Sequence, residues 1–89
     1  MRVEFFGIAR QRAGVGELSV DSPRANVSLG ELLRRIADRV PALGCELIVD
    51  GRLHESLSAN LDGAHFISDP ATVIRDGQSV LILSADAGG

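Results

Sequence analysis

Several residue types that whole classes of protein require are absent from this chain of 89 residues. It contains no lysine, tryptophan or tyrosine, and phenylalanine occurs only three times. All nine basic side chains are therefore arginines, and the net charge is −3. A nucleic-acid-binding protein needs a basic surface and usually aromatic side chains for stacking, so we expect no nucleic-acid partner. Without an ε-amino group, the chain is neither an acceptor for isopeptide bonds nor an enzyme that works through a Schiff base.

Cysteine and long hydrophobic runs are equally scarce. Cys45 is the only cysteine and cannot form an internal disulfide bond. No apolar run approaches the roughly 20 residues that cross a bilayer, and the first residues do not resemble a signal peptide. We therefore expect a cytoplasmic protein without a membrane partner. For Cys45 itself we expect a small buried hydrophobe, with a thiol relay as the alternative.

The spacing of apolar residues predicts an alternation of strands with one helix. Strands are predicted at residues 3–8, 17–21, 46–50, 65–67 and 79–84. Residues 9–16 are predicted to be a connection, and residues 52–78 otherwise look irregular, with several turn signals. The last strand is apolar on both faces, which is typical of a central position in a sheet.

The helix is predicted at residues 28–40. Ser28 and Glu31 have the spacing of a capping box, and Val27 and Leu32 that of a hydrophobic staple. Pro41 ends the helix because it lacks an N–H group. One apolar stripe follows the helical period, and it consists of Leu29, Leu32, Leu33, Ile36, Ala37 and Val40. One amphipathic helix on a mixed sheet of four to five strands is an α+β arrangement.

The last strand leads into Gly88-Gly89. Glycine has no Cβ, so two glycines pass through a narrow slot that would exclude any side chain. We therefore expect the carboxylate of Gly89 to be the working group of the protein, with a frayed polar end as the alternative. We predict a domain over residues 1–84 and a flexible tail over residues 85–89, which reaches at most about 17 Å.

Three segments resemble the MoaD/ThiS family of sulfur carriers, which have the ubiquitin-like β-grasp fold. They are residues 3–10 with Gly14, the helix at 28–40 with Pro41, and residues 76–83 running to the diglycine. Within the family, the chain is most similar to the small subunit of molybdopterin synthase. One departure is the stretch Ser84-Ala85-Asp86-Ala87, where those subunits commonly carry a proline.

The resemblance implies a chemistry that needs no catalytic side chain in this protein. An E1-like adenylyltransferase of the MoeB/ThiF type would adenylate Gly89 with ATP, and a sulfur donor would then displace AMP to leave a thiocarboxylate. An acceptor enzyme such as the molybdopterin synthase large subunit would take the sulfur. The alternatives are a ubiquitin-like modifier joined to lysines, a carrier for thiamine, cysteine or another metabolite, and a pure interaction module. The chain is thus a carrier or a non-catalytic subunit.

Other residues are candidates for guiding this transfer. Asp86 and Ala87 belong to the tail next to the diglycine, and Gly88 gives it clearance. We predict that Phe6, Leu81 and Leu83 form an exposed apolar patch for partner docking, with core or isolated surface positions as the alternative. Arg10 is placed like the arginine that follows strand one in the family, and it is either a partner contact or a solvated loop charge.

No metal or cofactor site is expected. Asp62, His65 and Asp69 are possible metal ligands by residue type, but their spacing matches no strong metal motif, and His54 stands apart. The chain has no Walker A sequence and no dinucleotide-binding fingerprint, so any ATP must be bound by the partner.

Overall fold

The fold consists of nine short strands and three helices among residues 1–21 and 25–85, which are the residues described in a computed structural model of the protein. The strands are β1 Arg2–Phe5, β2 Glu17–Ser19, β3 Asn26–Ser28, β4 Ile48–Val49, β5 Arg52–Leu53, β6 Leu57–Leu61, β7 His65–Ile67, β8 Val73–Arg75 and β9 Ser79–Ser84. The helices are α1 Gly7–Ala13, α2 Leu29–Arg39 and α3 Pro41–Gly44.

The main sheet has five strands in the order β2-β1-β9-β6-β7. Strands β1 and β9 are parallel, and the other neighbouring pairs are antiparallel. The last strand is therefore the central one, as its apolar composition predicted. Two small two-stranded sheets, β3–β8 and β4–β5, flank the main sheet.

One face of the main sheet forms the core with α2. The paired residues Val3 and Val80, and Phe5 and Ile82, point to this face and are at most 1% exposed. The helix contributes four buried side chains to the same cluster, namely Leu29, Leu32, Leu33 and Ile36. The predicted apolar stripe is thus confirmed as the packing surface of the helix.

The predicted helix start is also confirmed. Ser28 is the N-cap of α2, and its side-chain oxygen accepts a hydrogen bond of 3.1 Å from the backbone N–H of Glu31. The helix ends at Arg39, and Pro41 begins the short helix α3 instead of continuing α2. A proline at the first helical position costs no hydrogen bond, since the N–H there has no partner within the helix.

The prediction of one long strand at 3–8 followed by a connection is wrong. The strand ends at Phe5, and α1 follows directly. Gly7 makes the turn between them with a φ of +57°, and Gly14 ends the helix in the left-handed conformation, with its N–H bonded to the carbonyl of Arg10. The residues between these glycines include Ala9, which is fully buried. Tertiary packing therefore stabilises a helix too short to form alone.

Two further predictions need correction. The strand expected at 46–50 is reduced to β4, which pairs only with β5 outside the main sheet. The stretch at 52–78, predicted to be irregular, contains β6. All five residues of β6 pair with the central strand β9. Its sequence, Leu-Ser-Ala-Asn-Leu, is poor in strand-forming residues, so its conformation depends on its neighbours and not on propensity.

Two of the three aspartate–glycine pairs, all of which predict turns, form hairpins. Asp50 and Gly51 have φ values of 53° and 72° and connect β4 to β5. Asp62 and Gly63 have φ values of 56° and 72° and connect β6 to β7. Positive φ at both central residues is the geometry of a type I′ turn, which suits the twist of paired strands.

The expected burial of Cys45 is wrong. The residue lies just after α3, and its side chain is exposed. Its backbone N–H still closes the last turn by bonding to the carbonyl of Pro41. The thiol is therefore not part of the core.

Candidate functional site

The central strand β9 ends at one rim of the sheet. Ser84, the last residue of β9, is in register with Leu57 of β6. The next residue, Ala85, donates its N–H to the carbonyl oxygen of Ser56 over 2.8 Å. The tail candidates Asp86, Ala87, Gly88 and Gly89 lie outside the described residues. The root of the tail is therefore held between β6 and the end of β1.

The three apolar residues predicted as a docking patch share the face of the sheet opposite α2. Leu81 is paired with Glu4 on one side and Asn60 on the other, and Leu83 is paired with Ser58. Both leucines are half-buried. Phe6 follows the buried Phe5 in extended backbone and is 43% exposed. Since successive residues of an extended chain point to opposite faces, Phe6 lies on the face of Leu81 and Leu83.

A fourth residue of this face was missed by the sequence reasoning. Phe66 of β7 is paired with Asn60, is 52% exposed, and lies in the same row as Leu81. Its position depends on β6, whose strand conformation the composition did not indicate. The Asp62-Gly63 turn ahead of it was the available signal, because such a pair between two apolar runs is typical of a hairpin. We call Phe6, Leu81, Leu83 and Phe66 the docking face.

Asn60 is the polar residue enclosed by the docking face. It is 8% exposed and lies between Leu81 and Phe66. Its Oδ1 atom has no hydrogen-bond partner among the residues the structure describes. A buried acceptor without a partner costs about 1–3 kcal/mol of stability. The docking face therefore combines apolar side chains with one unused hydrogen-bond acceptor beneath them.

Charged residues border this face on β1 and β2. Arg2 contacts Glu4 at 2.8 Å and Glu17 at 2.9 Å. Exposed ion pairs of this kind contribute little to stability, about 0–1 kcal/mol. Glu4 lies beside Leu81, whereas Leu83, nearer the tail, is paired with the uncharged Ser58.

Arg10 lies on α1 and not in the loop that was predicted after the first strand. Its N–H is 3.4 Å from the carbonyl of Phe6, one helical turn before it. Its exposed guanidinium runs over Gly16, where an added Cβ would be 3.3 Å from Arg10 Cζ. No hydrogen bond or ion pair joins this guanidinium to a described residue. It remains available to a partner, although it is not part of the docking face.

The residues considered as metal ligands have local structural contacts instead. Asp62 Oδ1 accepts from the backbone N–H of Ser79 at 2.7 Å, and Asp69 Oδ1 accepts from that of Ala71 at 2.9 Å. His54 Nδ1 bonds to both Oγ and N–H of Ser56. In residues 1–21 and 25–85, no three His, Cys, Asp or Glu side chains come together as a metal site.

A cavity of about 400 Å³ opens beside the root of the tail. Its floor is formed by apolar residues of the core face, among them Leu33 and Leu57, and Ala85 lines it as well. Arg52, His54 and Glu55 are also part of its lining. The His54 imidazole in this lining is bonded through Nδ1 to Ser56, two residues away.

Comparison with known proteins rests on structure. No protein-family model and no curated protein sequence matches the chain. SAMP1 from Haloferax volcanii superposes with a TM-score of 0.80 at 18% identity, covering 99% of this chain and 97% of that one. A putative molybdopterin converting factor subunit 1 from Pyrococcus furiosus gives 0.74 at 22% identity, covering 93% of each chain. The chain has the β-grasp fold.

A third similar structure is a chain of the Amycolatopsis orientalis BexX/CysO complex. It gives a TM-score of 0.73 at 18% identity and covers 99% of this chain and 98% of that one. The predicted α+β class and β-grasp fold are thus confirmed, and with them the resemblance on which they rested, at the level of the fold. No helix among the described residues has the length and apolar character needed to cross a membrane.

Proposed function

We propose that the protein is a sulfur carrier that works through the carboxylate of Gly89. The observation that carries this proposal is the exit of the central strand: β9 ends at the rim of a β-grasp domain, and Gly88-Gly89 follows within five residues. At about 3.3 Å per residue, this length lets a carboxylate reach at most about 17 Å beyond the sheet. That is far enough to enter the active site of a docked enzyme.

The reaction has two steps, both catalysed by a partner. A carboxylate oxygen of Gly89 attacks the α-phosphorus of ATP, and pyrophosphate leaves. A sulfide ion (HS⁻) released by the sulfur donor then attacks the carbonyl carbon of the acyl adenylate, and AMP leaves to give the thiocarboxylate. Adenylation is needed because a free carboxylate is a poor acyl electrophile. The carrier itself binds no cofactor, since the E1-like adenylyltransferase holds the ATP.

The docking face is the proposed surface for the E1-like enzyme and for the sulfur acceptor. Its four apolar side chains lie on the sheet that ends in the tail, so a partner bound there is within reach of Gly89. The aromatic residues Phe6 and Phe66 are of the type that dominates interface energetics. The similarity to a chain of the BexX/CysO complex supports a protein of this fold acting within a complex with another protein.

The deciding experiment is an intact mass measured after coexpression with the protein's own E1-like enzyme. We expect one oxygen of the terminal carboxylate to be replaced by sulfur, which requires Gly89 to be the C-terminus of the mature protein. Deletion of Gly89, or addition of a leucine after it, should abolish the modification while the circular dichroism spectrum stays that of the native domain. Sulfur incorporation that survives either change would refute the mechanism.

The proposed pathway is molybdopterin biosynthesis in the cytoplasm, with the large subunit of molybdopterin synthase as acceptor. Support comes from the three sequence segments and from the similarity to the putative molybdopterin converting factor subunit. The test is reconstitution: the thiocarboxylated protein is mixed with that large subunit and the molybdopterin precursor. Dithiolene product supports the pathway. A thiocarboxylate that is stable in this mixture would direct the search to carriers for thiamine, cysteine or another metabolite.

A second candidate is a ubiquitin-like modifier joined to lysines of other proteins. It is favoured by the similarity to SAMP1, which is called a small archaeal modifier protein. The two functions share adenylation and differ in the acceptor. High-mass conjugates that disappear when Gly89 is deleted would support the modifier. Thiocarboxylate without conjugates would support the carrier.

A further inference from the structure

The side chain of Ser84 joins the end of β9 to the beginning of α1. Its Oγ atom accepts a hydrogen bond of 3.1 Å from the backbone N–H of Ile8. These residues are 76 positions apart in sequence. The contact therefore connects the root of the tail to the segment that carries Phe6.

Gly7 provides the space for this contact. A Cβ atom added to Gly7 would lie 2.6 Å from Ser84 Oγ, closer than real Cβ atoms approach other atoms. Gly7 also has a φ of +57°, a conformation that residues with side chains rarely adopt. The Ser84 hydroxyl thus lies in a space that any larger residue at position 7 would fill. We call this contact of Ser84 with Gly7 and Ile8 the seat.

Two backbone hydrogen bonds reinforce the seat. Phe6 donates its N–H to the carbonyl of Ile82 over 2.9 Å, and Ala85 donates its N–H to that of Ser56 over 2.8 Å. The last residues of β9 are thus held by α1 and β1 on one side and by β6 on the other.

We propose that Ser84 is a positioning residue for the transfer reaction. Its hydroxyl, seated on Gly7 and bonded to Ile8, sets the direction in which the tail leaves the domain. Gly89 then reaches the reaction centre of an enzyme bound to the docking face. This role rests on the proposed function, but it concerns a residue that takes no part in the chemistry.

The effect expected from losing the seat follows from chain statistics. Four residues follow Ala85 in the sequence, and release of residues 84 and 85 would lengthen the segment between the domain and the carboxylate to about six. The effective concentration of the carboxylate at the reaction centre falls roughly as the −3/2 power of the length of this segment. The increase from four to about six residues therefore lowers that concentration about twofold. Loss of orientation at the reacting carbon adds to this, because small misplacements lower rates steeply. We expect the adenylation rate to fall about two- to tenfold.

The kinetic test uses Ser84→Ala, with Ser84→Thr as the conservative variant. Initial rates of AMP formation with the E1-like enzyme and a sulfur donor are measured against carrier concentration. We expect Ser84→Ala to lower kcat two- to tenfold and to leave KM within twofold, since the docking face is intact. Ser84→Thr keeps the hydroxyl and should recover most of the lost kcat. Ser79→Ala, at the opposite end of the same strand, is the matched control and should behave as wild type.

Amide hydrogen exchange of the isolated protein measures the local stability around Ser84 without an enzyme. In Ser84→Ala, the N–H groups of Ile8 and Ala85 should exchange at least about tenfold faster, and that of Val80 at an unchanged rate. A wild-type chain that is not adenylated would refute the proposed function and this role with it. Normal adenylation of the wild type together with an unchanged kcat in Ser84→Ala would refute the positioning role alone. Equal losses of kcat in Ser84→Ala and Ser84→Thr would also refute the positioning role.

Discussion

Two neighbouring residues of the central strand should separate stability from partner binding. Ile82 points into the core and is fully buried, whereas Leu81 points to the docking face and is half-buried. Truncating a buried isoleucine to alanine removes about 2–5 kcal/mol of stability through lost transfer energy and the cavity that remains. A domain of this size is stable by only about 5–15 kcal/mol. Ile82→Ala is therefore expected to remove a large fraction of the free energy of unfolding.

Leu81→Ala is the matched variant for this comparison. The side chain is already partly in contact with water, so its truncation should cost about 1 kcal/mol or less. The same change should weaken adenylation by raising KM several-fold, because the leucine lies within the docking face. Ile82→Ala should leave KM unchanged for whatever fraction of the protein remains folded.

The assays are urea denaturation followed by circular dichroism and initial adenylation rates at several carrier concentrations. A loss of about 2 kcal/mol in this domain lowers the melting temperature by roughly 10 °C, which is easily measured. Equal losses of stability in the two variants would show that Leu81 is part of the core. An unchanged KM in Leu81→Ala would show that partners bind elsewhere.

Four further variants test particular elements of the structure. Ser28→Ala should lower the free energy of unfolding by about 1 kcal/mol, since it removes the cap of α2; an unchanged urea midpoint would contradict this. Gly51→Ala should cost about 3 kcal/mol, because its Cβ would be 2.9 Å from the backbone oxygen of Gly30. Gly63 has the same φ but open space around it, so Gly63→Ala should cost only about 1–2 kcal/mol. Equal losses of stability in the two glycine variants would show that the contact with the Gly30 oxygen does not matter. Cys45→Ser should change neither stability nor thiocarboxylate formation, and a loss of sulfur transfer would establish a thiol relay.

Elements that depend on residues close together in the sequence were predicted correctly. The start of α2 depends on Ser28 and the residues that follow it, and its packing surface depends on a spacing that is visible in the sequence. The last strand is a continuous apolar run, and its central position follows from being apolar on both faces. The regular alternation of β1 and β9 also places Phe6, Leu81 and Leu83 on one face of the sheet; that partners bind there stays a prediction.

Elements stabilised by distant neighbours were missed or misplaced. Strand β6 contains serine, alanine and asparagine, and it is extended because β9 and β7 pair with both of its edges. Helix α1 forms between two glycines because Ala9 packs into the core. Phe66 joined the docking face only through β6. Cys45 was expected inside for its residue type, but the turn after α3 leaves it outside.

The amino-acid order by itself determined the capped helix, the apolar central strand and the diglycine to which that strand leads, because each depends on residues within a few positions of one another. Tertiary structure alone decided which strands lie beside the central one. It also decided which side chains share the face near the tail, and that the hydroxyl of Ser84 meets the backbone at Ile8. Pairings across 76 residues depend on the packing of the whole core, and no local pattern encodes them.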